Sequence, residues 1–242
     1  MNIHHFRSLR QTGTMVALAF LVIAWITAVY PSSAIGDDRT EGVQLVEKAR
    51  FTMEDFLVAK EMGPFRGLLK TAKGVFIAPQ VLEGAFIFGV SGGSGLLLVR
   101  DAKTGTWNGP AFYTMGEFSF GLQAGGQASD IVLLAMTDRG VNAFLADSVK
   151  LGADIGVALG PVGAGAEAAT ANLSADILSF ARSKGAYAGV SAEGAVVATR
   201  DGWNAAYYEK EVSPREILID RKVHNPQADT LIKAVTIAAG AK

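Results

Sequence analysis

The sequence predicts a single α+β domain: a largely antiparallel β-sheet, sandwich-like or barrel-like, with flanking helices. Half of the 242 residues are hydrophobic and 19% are charged, which is enough apolar surface to bury one sizeable core. Many of the 28 glycines punctuate short β-like runs between residues 84 and 136, whereas helical periodicity precedes and follows that region. No fixed-period repeat or linker divides the chain, which favours one domain.

The first 34 residues have the pattern of a signal peptide. Arg7 and Arg10 precede an apolar run over residues 15–30, and a Pro-Ser-Ser-Ala sequence ends at Ala34. This order is typical of an export signal, so we expect cleavage near Ala34 and a periplasmic or envelope-associated protein. The alternative is an inner-membrane anchor formed by residues 15–30, although sixteen helical residues reach only about 24 Å of a hydrocarbon core about 30 Å thick.

The expected mature chain, residues 35–242, begins with an amphipathic helix. Apolar residues recur at intervals of three and four over residues 43–60, which predicts a helix with one buried face. Gly63 and Pro64 are predicted to end it. A β-rich run follows from Val75 to Ala78, and Pro79 is predicted to stop that strand.

The middle of the chain predicts a hairpin and a short helix. Leu96–Arg100 and Trp107–Phe112 are β-like and flank an Asp-Ala-Lys-Thr-Gly turn, which is the pattern of a hairpin. Residues 138–147 are predicted to be helical, with Asp138 as a possible N-cap. One strand is predicted before Gly194 and another after it.

The C-terminal region predicts two further helices. Ser213 is placed to cap a short helix that starts at Pro214, because proline is favoured at the first helical position. A last helix is predicted after Asn225 and Pro226.

One stretch resembles the nucleophile turn of a hydrolase. Residues 89–93 read Gly-Val-Ser-Gly-Gly, but a catalytic serine at Ser91 would need a helix after it, and the residues that follow are strand-like. After removal of the signal peptide, His224 is the remaining histidine, and it lies in a polar tail. The sequence therefore predicts turn glycines here and no enzyme.

Cofactor and metal sites are also not predicted. Gly163, Gly165 and Ala168 resemble a degraded dinucleotide-binding motif, but Asp176 comes too early for the acidic residue such a site requires. The chain has no cysteine, and beyond residue 34 it has one histidine, so carboxylates are the main metal ligands that remain. We expect neither a cofactor nor a metal.

Charge singles out one segment. Beyond residue 34 the chain has 20 Lys and Arg against 23 Asp and Glu, which gives no reason to expect nucleic acid. Residues 48–73, however, include six basic and three acidic residues, so this segment has a net positive charge. A basic amphipathic segment suits an anionic membrane surface, and a solvated helix face that packs its apolar side on the core is the alternative. The candidate lipid-binding residues are Lys60, Phe65, Arg66, Leu68, Leu69, Lys70 and Lys73.

Six ordered blocks carry a family resemblance. They are LLKTAKGVFIAP, GLLLVRDAKTGTWNGPAFY, GLQAGGQASDIVLLAM, KLGADIGVALGPVGAGAEAAT, DILSFARSKGAYAGVSAEG and NAAYYEKEVSPREIL. In order and spacing they resemble the SYLF domain family, also called the Ysc84 family, over about residues 43–220.

The resemblance implies a non-catalytic lipid-binding module. Eukaryotic members of the family bind phosphoinositides, partly through an N-terminal amphipathic helix, and yeast members bind actin. Bacterial-type members are mostly exported. The leading hypothesis is therefore an envelope protein that contacts anionic phospholipid through the basic segment, and the alternative is a structural or protein-interaction module, with an unknown protein partner and no lipid site.

Overall fold

A computed structural model describes residues 35–85, 89–119, 125–163 and 174–240. The predicted signal peptide lies outside these ranges. No helix within them combines the length and the hydropathy needed to cross a bilayer.

Helices flank a central sheet. Among the described residues, the α-helices are α1 (Ile35–Val58), α2 (Gly63–Leu69), α3 (Asp138–Ala143), α4 (Asp201–Tyr208), α5 (Pro214–Leu218) and α6 (Asp229–Ala238), and 3₁₀ turns cover Lys60–Met62 and Pro226–Ala228. The strands are β1 (Gly74–Ala85), β2 (Gly89–Arg100), β3 (Trp107–Ser119), β4 (Gly125–Ala135), β5 (Ser148–Lys150), β6 (Val157–Leu159), β7 (Ile177–Ser183), β8 (Ala186–Gly189) and β9 (Val196–Thr199).

The nine described strands form one sheet in the order β5-β9-β3-β2-β1-β4-β7-β6, and β8 also pairs with β7. Every pairing is antiparallel except that of β6 with β7. The predicted fold class, a single α+β domain with a mostly antiparallel sheet, is therefore confirmed.

The sheet is curled into a half-barrel. Its two edge strands are consecutive in sequence, because β5 ends at Lys150 and β6 begins at Val157. Seven residue steps span at most about 24 Å, whereas eight flat strands would place the edges about 34 Å apart. The short connection therefore requires the edges to approach each other.

The middle of the sheet is buried on both faces. In β1, Val75 and Ile77 belong to a first core that packs under α1, α2 and α6, whereas Phe76 and Ala78 belong to a second core on the opposite face. The second core also receives Val141 from α3 and side chains from α5. Burial on both sides explains why Val75–Ala78, Leu96–Val99 and Ile131–Ala135 are continuous apolar runs instead of alternating ones.

Several sequence predictions are confirmed. The predicted hairpin exists as β2 and β3, and a turn over residues 101–106 joins the two strands. Ser213 caps α5, accepting a hydrogen bond from the Glu216 backbone N–H in a reciprocal capping box. The last helix follows Asn225 and Pro226 as predicted.

Three local boundaries differ from the predictions. Gly63 and Pro64 begin α2 instead of ending a helix, because proline fits the first turn, where its missing N–H is not needed. Pro79 does not stop β1: the strand continues through a bulge at which Gln80 has φ 57°. The N-cap of α3 is Thr137 and not Asp138, since the Thr137 side chain accepts from the Gly140 N–H.

One arginine joins the first helix to the sheet. Arg182 on β7 forms ion pairs with Asp55 on α1 and with Asp130 on β4. Asp130 also accepts a hydrogen bond from the Gln80 N–H, at 3.0 Å, and so holds the bulge of β1. All three charges of this cluster are used within the fold.

Candidate functional site

The described residues do not form a nucleophile turn at Ser91. Ser91 lies within β2, opposite Glu117 of β3, so the chain is extended before and after it. His224 lies in the exposed C-terminal tail, where its Nε2 is 2.8 Å from Oδ1 of Asp229. The strand geometry removes the sharp strand-to-helix turn that exposes a catalytic serine. Of the degraded glycine motif, Gly165 and Ala168 lie outside the described residues.

The apolar residues of the predicted lipid-binding segment belong to the core. Phe65 and Leu69 on α2 are fully buried. The Phe65 ring lies 5.5 Å from that of Phe56 and 5.1 Å from that of Phe180, measured between ring centroids. Leu68 is partly buried against the same core. In this conformation Phe65 and Leu69 present no surface to a membrane, because the helix turns its apolar side onto the sheet.

Arg66 has a structural role. Its Nη1 donates to the backbone carbonyls of Ala59 at 2.7 Å and Leu57 at 3.2 Å. Leu57 lies in the last turn of α1 and Ala59 directly follows the helix, where carbonyl oxygens lack partners within the helix. Arg66 is therefore held within the fold, and Lys73 lies beyond the end of α2.

The lysines of the segment remain at the surface. Lys60 and Lys70 are exposed. Lys73 is half-buried, and its Nζ is 2.6 Å from Oδ2 of Asp138 in α3. Whether these residues bind lipid stays a prediction.

A cleft of about 500 Å³ opens beside Lys73. Its walls come from four parts of the chain: the connection between α2 and β1, the hairpin turn between β2 and β3, the first turns of α3, and the residues at and after the end of α5. Val99, Val141 and Leu218 provide its buried apolar lining. The hairpin and the two helix ends therefore create a concave site that no single segment contains.

Two arginines extend the basic surface around this cleft. Arg100, the last residue of β2, donates from Nη1 to the Lys70 carbonyl at 2.6 Å and from its backbone N–H to the Lys73 carbonyl at 2.8 Å. Arg221, which follows α5, also lines the cleft. We call Lys70, Lys73, Arg100 and Arg221 the basic rim. Sequence analysis missed both arginines, since Arg100 reads as the start of a turn and no motif marks Arg221.

Asp101 positions Arg221. The Asp101 side chain is only 4% exposed, and it forms an ion pair with Arg221. Its Oδ1 also accepts from the backbone N–H groups of Lys103 at 2.6 Å and Thr104 at 2.7 Å. This carboxylate therefore closes the hairpin turn and holds one guanidinium at the cleft.

A second acidic residue fixes the α3 wall. Asp176 pairs with Arg139 and accepts a hydrogen bond from the Thr137 hydroxyl at 2.6 Å. The Arg139 guanidinium, followed by the Thr137 hydroxyl, lowers the pKa of Asp176 below its ordinary value. The start of α3, which carries Asp138 into the cleft, is thereby tied to the residue that precedes β7.

These features define the class of protein: a single-domain antiparallel half-barrel, flanked by helices, with a charged surface cleft. Residues 116–238 match the model of the Ysc84 family, described as "Las17-binding protein actin regulator". The chain belongs to this family, and the resemblance drawn from the sequence blocks is confirmed.

Curated relatives match about two thirds of the chain. Protein YSC84 of Saccharomyces cerevisiae is 34% identical over 171 residues, which is 69% of this chain and 36% of the relative. LAS seventeen-binding protein 3 of the same yeast is 33% identical over 172 residues, 69% of this chain and 37% of the relative. SH3 domain-containing YSC84-like protein 1 of Homo sapiens is 31% identical over 166 residues, 68% of this chain and 48% of the relative. The chain thus spans less than half the length of these relatives.

Proposed function

We propose that this protein is a non-catalytic binding module that attaches to anionic phospholipid through the basic rim. One observation carries the proposal. Backbone and side-chain hydrogen bonds hold Arg100 against Lys70 and Lys73, so cations from distant parts of the sequence share one surface. Clustered basic residues are the feature that anionic membrane surfaces attract.

The basic rim by itself supports only weak attachment. Each basic residue near an anionic surface contributes about 1 kcal/mol, so four contribute at most about 4 kcal/mol, comparable to a millimolar dissociation constant. The carboxylates of Asp101 and Asp138, which pair with Arg221 and Lys73, reduce this contribution. Insertion of Phe65 and Leu69 would have to remove them from the core in which they are buried. Tighter binding therefore needs a specific head-group contact or several copies of the protein on one membrane.

Liposome co-sedimentation tests the proposal. We expect the 35–242 chain to bind phosphatidylglycerol vesicles and not neutral ones, and to be released as salt screens the charges. Lys70→Glu with Lys73→Glu should abolish most of this binding. Lys150→Glu with Lys210→Glu is the matched control, because both residues are exposed, lie outside the basic rim, and give the same change in net charge. Equal loss in both variants, or undiminished binding by the folded rim variant, would contradict the proposal.

The cell envelope is the proposed location, supported by the signal-peptide pattern of residues 1–34. Mass spectrometry of the protein from an envelope fraction should find Ile35 at its N-terminus. Intact Met1 in the membrane pellet would favour the anchor formed by residues 15–30 instead.

Protein interaction is the second candidate function. The family description names an actin regulator, and α1 exposes two apolar side chains spaced two helical turns apart: Phe51 is 55% and Val58 is 78% exposed. Co-sedimentation with actin filaments tests this candidate. Phe51→Ser with Val58→Ser should reduce any binding, whereas Ile237→Ser, which changes an apolar residue on α6 whose exposure lies between those two, should not. Absence of wild-type binding would remove actin as the partner.

A further inference from the structure

The cleft beside the basic rim has the size and the donors of a small-ligand site. Its volume of about 500 Å³ lies within the range of small-molecule pockets. Arg100, Arg221 and Lys73 line it from three different walls, and Asn108 and Asn142 also belong to its lining. Within the described residues, neither amide has a hydrogen-bond partner. The cleft therefore offers convergent donors above an apolar floor.

The cations of the cleft retain unused donors. Arg100 uses one guanidinium nitrogen on the Lys70 carbonyl, and no carboxylate among the described residues pairs with it. Its guanidinium lies against Gly105, where an added Cβ would be 3.6 Å from Nη2. Gly105 has φ +72°, a conformation that favours glycine, so the hairpin turn leaves this space open beside the arginine.

The two carboxylates of the cleft differ in what they leave available. Asp101 is buried and neutralises part of Arg221, whose remaining N–H groups have no other partner in the described chain. Asp138 is 81% exposed, and its pair with Lys73 is therefore weak and replaceable by another anion. When Asp138 turns to solvent, two arginines and one lysine face the same space.

A phosphate monoester matches these donors best. It carries about two negative charges and three acceptor oxygens, whereas a carboxylate or a phosphodiester carries one charge and two such oxygens. Planar guanidinium groups bind phosphate oxygens in pairs. We propose that this cleft binds a phosphomonoester group, held by Arg100, Arg221 and Lys73, which either a phospholipid head group or a soluble phosphate ester supplies. For the lipid source, the inference rests on the proposed membrane attachment.

The test separates the two sources. Isothermal titration calorimetry with glycerol 3-phosphate measures the soluble ligand, and co-sedimentation with phosphatidic acid vesicles, compared with phosphatidylglycerol vesicles of matched surface charge, measures the head group. We expect a preference for the monoester in at least one arm. Arg100→Gln should weaken that binding about tenfold, and the double variant with Arg221→Gln should weaken it further.

Lys103→Gln with Arg215→Gln is the matched control, since it removes two exposed positive charges that do not line the cleft. Thermal melts accompany each variant because Arg221 also neutralises Asp101; if the double variant does not fold, Arg100→Gln decides alone. Equal losses in variant and control, or no preference for the monoester in either arm, would overturn the inference. Vesicle binding without monoester preference would support the proposed function and reject the phosphomonoester site. Glycerol 3-phosphate binding without vesicle binding would support the phosphomonoester site and reject membrane attachment.

Discussion

The two sides of residues 60–73 differ in what they contact. On one side, Phe65 and Leu69 are buried in the first core and Arg66 caps the end of α1. On the other, Lys60 and Lys70 are exposed. This amphipathic pattern also predicts membrane insertion, but here the apolar side of the segment is buried in the protein's own core. Only the charge of the exposed side remains available to a partner.

The arginines make the same distinction. Arg182 bridges two carboxylates, Asp55 and Asp130, and so ties α1 to the sheet. Arg100 binds one carbonyl and keeps its other donors for the cleft. A guanidinium supports the fold where acceptors surround it, and it is available to a ligand where they do not.

The largest expected effect on stability comes from a substitution on the buried side of residues 60–73. Phe65→Ala should lower the free energy of unfolding by about 3–5 kcal/mol, because it removes a fully buried ring from contact with Phe56 and Phe180. Urea denaturation measures the loss. Leu68→Ala, at a partly buried position on the same helix, should cost clearly less. Similar losses at both positions would contradict the assignment of Phe65 to the core side.

Arg66→Gln should have the next largest effect. It leaves the carbonyls of Leu57 and Ala59 without their charged donor, so we expect a loss of about 1–2 kcal/mol in the free energy of unfolding. Arg215→Gln, at an exposed helix position, is the control and should stay within about 0.5 kcal/mol of wild type. An Arg66→Gln variant with an unchanged free energy of unfolding would show that water replaces the cap fully and that Arg66 belongs to the exposed side.

A smaller, pH-dependent effect is expected where Asp176 holds the α3 wall of the cleft. Because Arg139 and Thr137 depress the folded-state pKa of Asp176, its contribution is fully present above about pH 4 and is lost as the pH falls through the depressed value. Asp176→Asn should cost about 1 kcal/mol at pH 7, from weakened hydrogen bonds, and the difference from wild type should shrink under acid. Denaturation between pH 2 and pH 7 measures it, and a pH-independent difference would refute the assignment.

The smallest effect on stability is expected on the exposed side. Lys60→Gln with Lys70→Gln should change the free energy of unfolding by less than about 0.5 kcal/mol, since neither side chain is buried. The same variant should still reduce binding to anionic vesicles if those lysines serve the proposed function. A large loss of stability would show that they belong to the buried side of residues 60–73 instead.

Sequence reasoning located the main elements because their signals are local. Helical periodicity indicated α1, the Asp-Thr-Gly turn indicated the hairpin of β2 and β3, and Ser213 indicated the start of α5. It misjudged Pro79, because a bulge lets a strand pass through proline, and whether the bulge forms depends on a distant partner, Asp130. The cleft was missed for a related reason: Arg100 and Arg221 are 121 positions apart in sequence and meet only when the hairpin turn contacts the end of α5.

By itself the sequence determined the fold class, the family and the basic character of residues 48–73, since composition, periodicity and motif order are properties of the chain alone. The tertiary structure decided which side of α2 is buried and which cations share a surface. The physical reason is that an amphipathic pattern states that one side will avoid water without stating what will cover it. Here the covering surface is the sheet, and the fold gathers Arg100, Arg221 and Lys73 around one cleft.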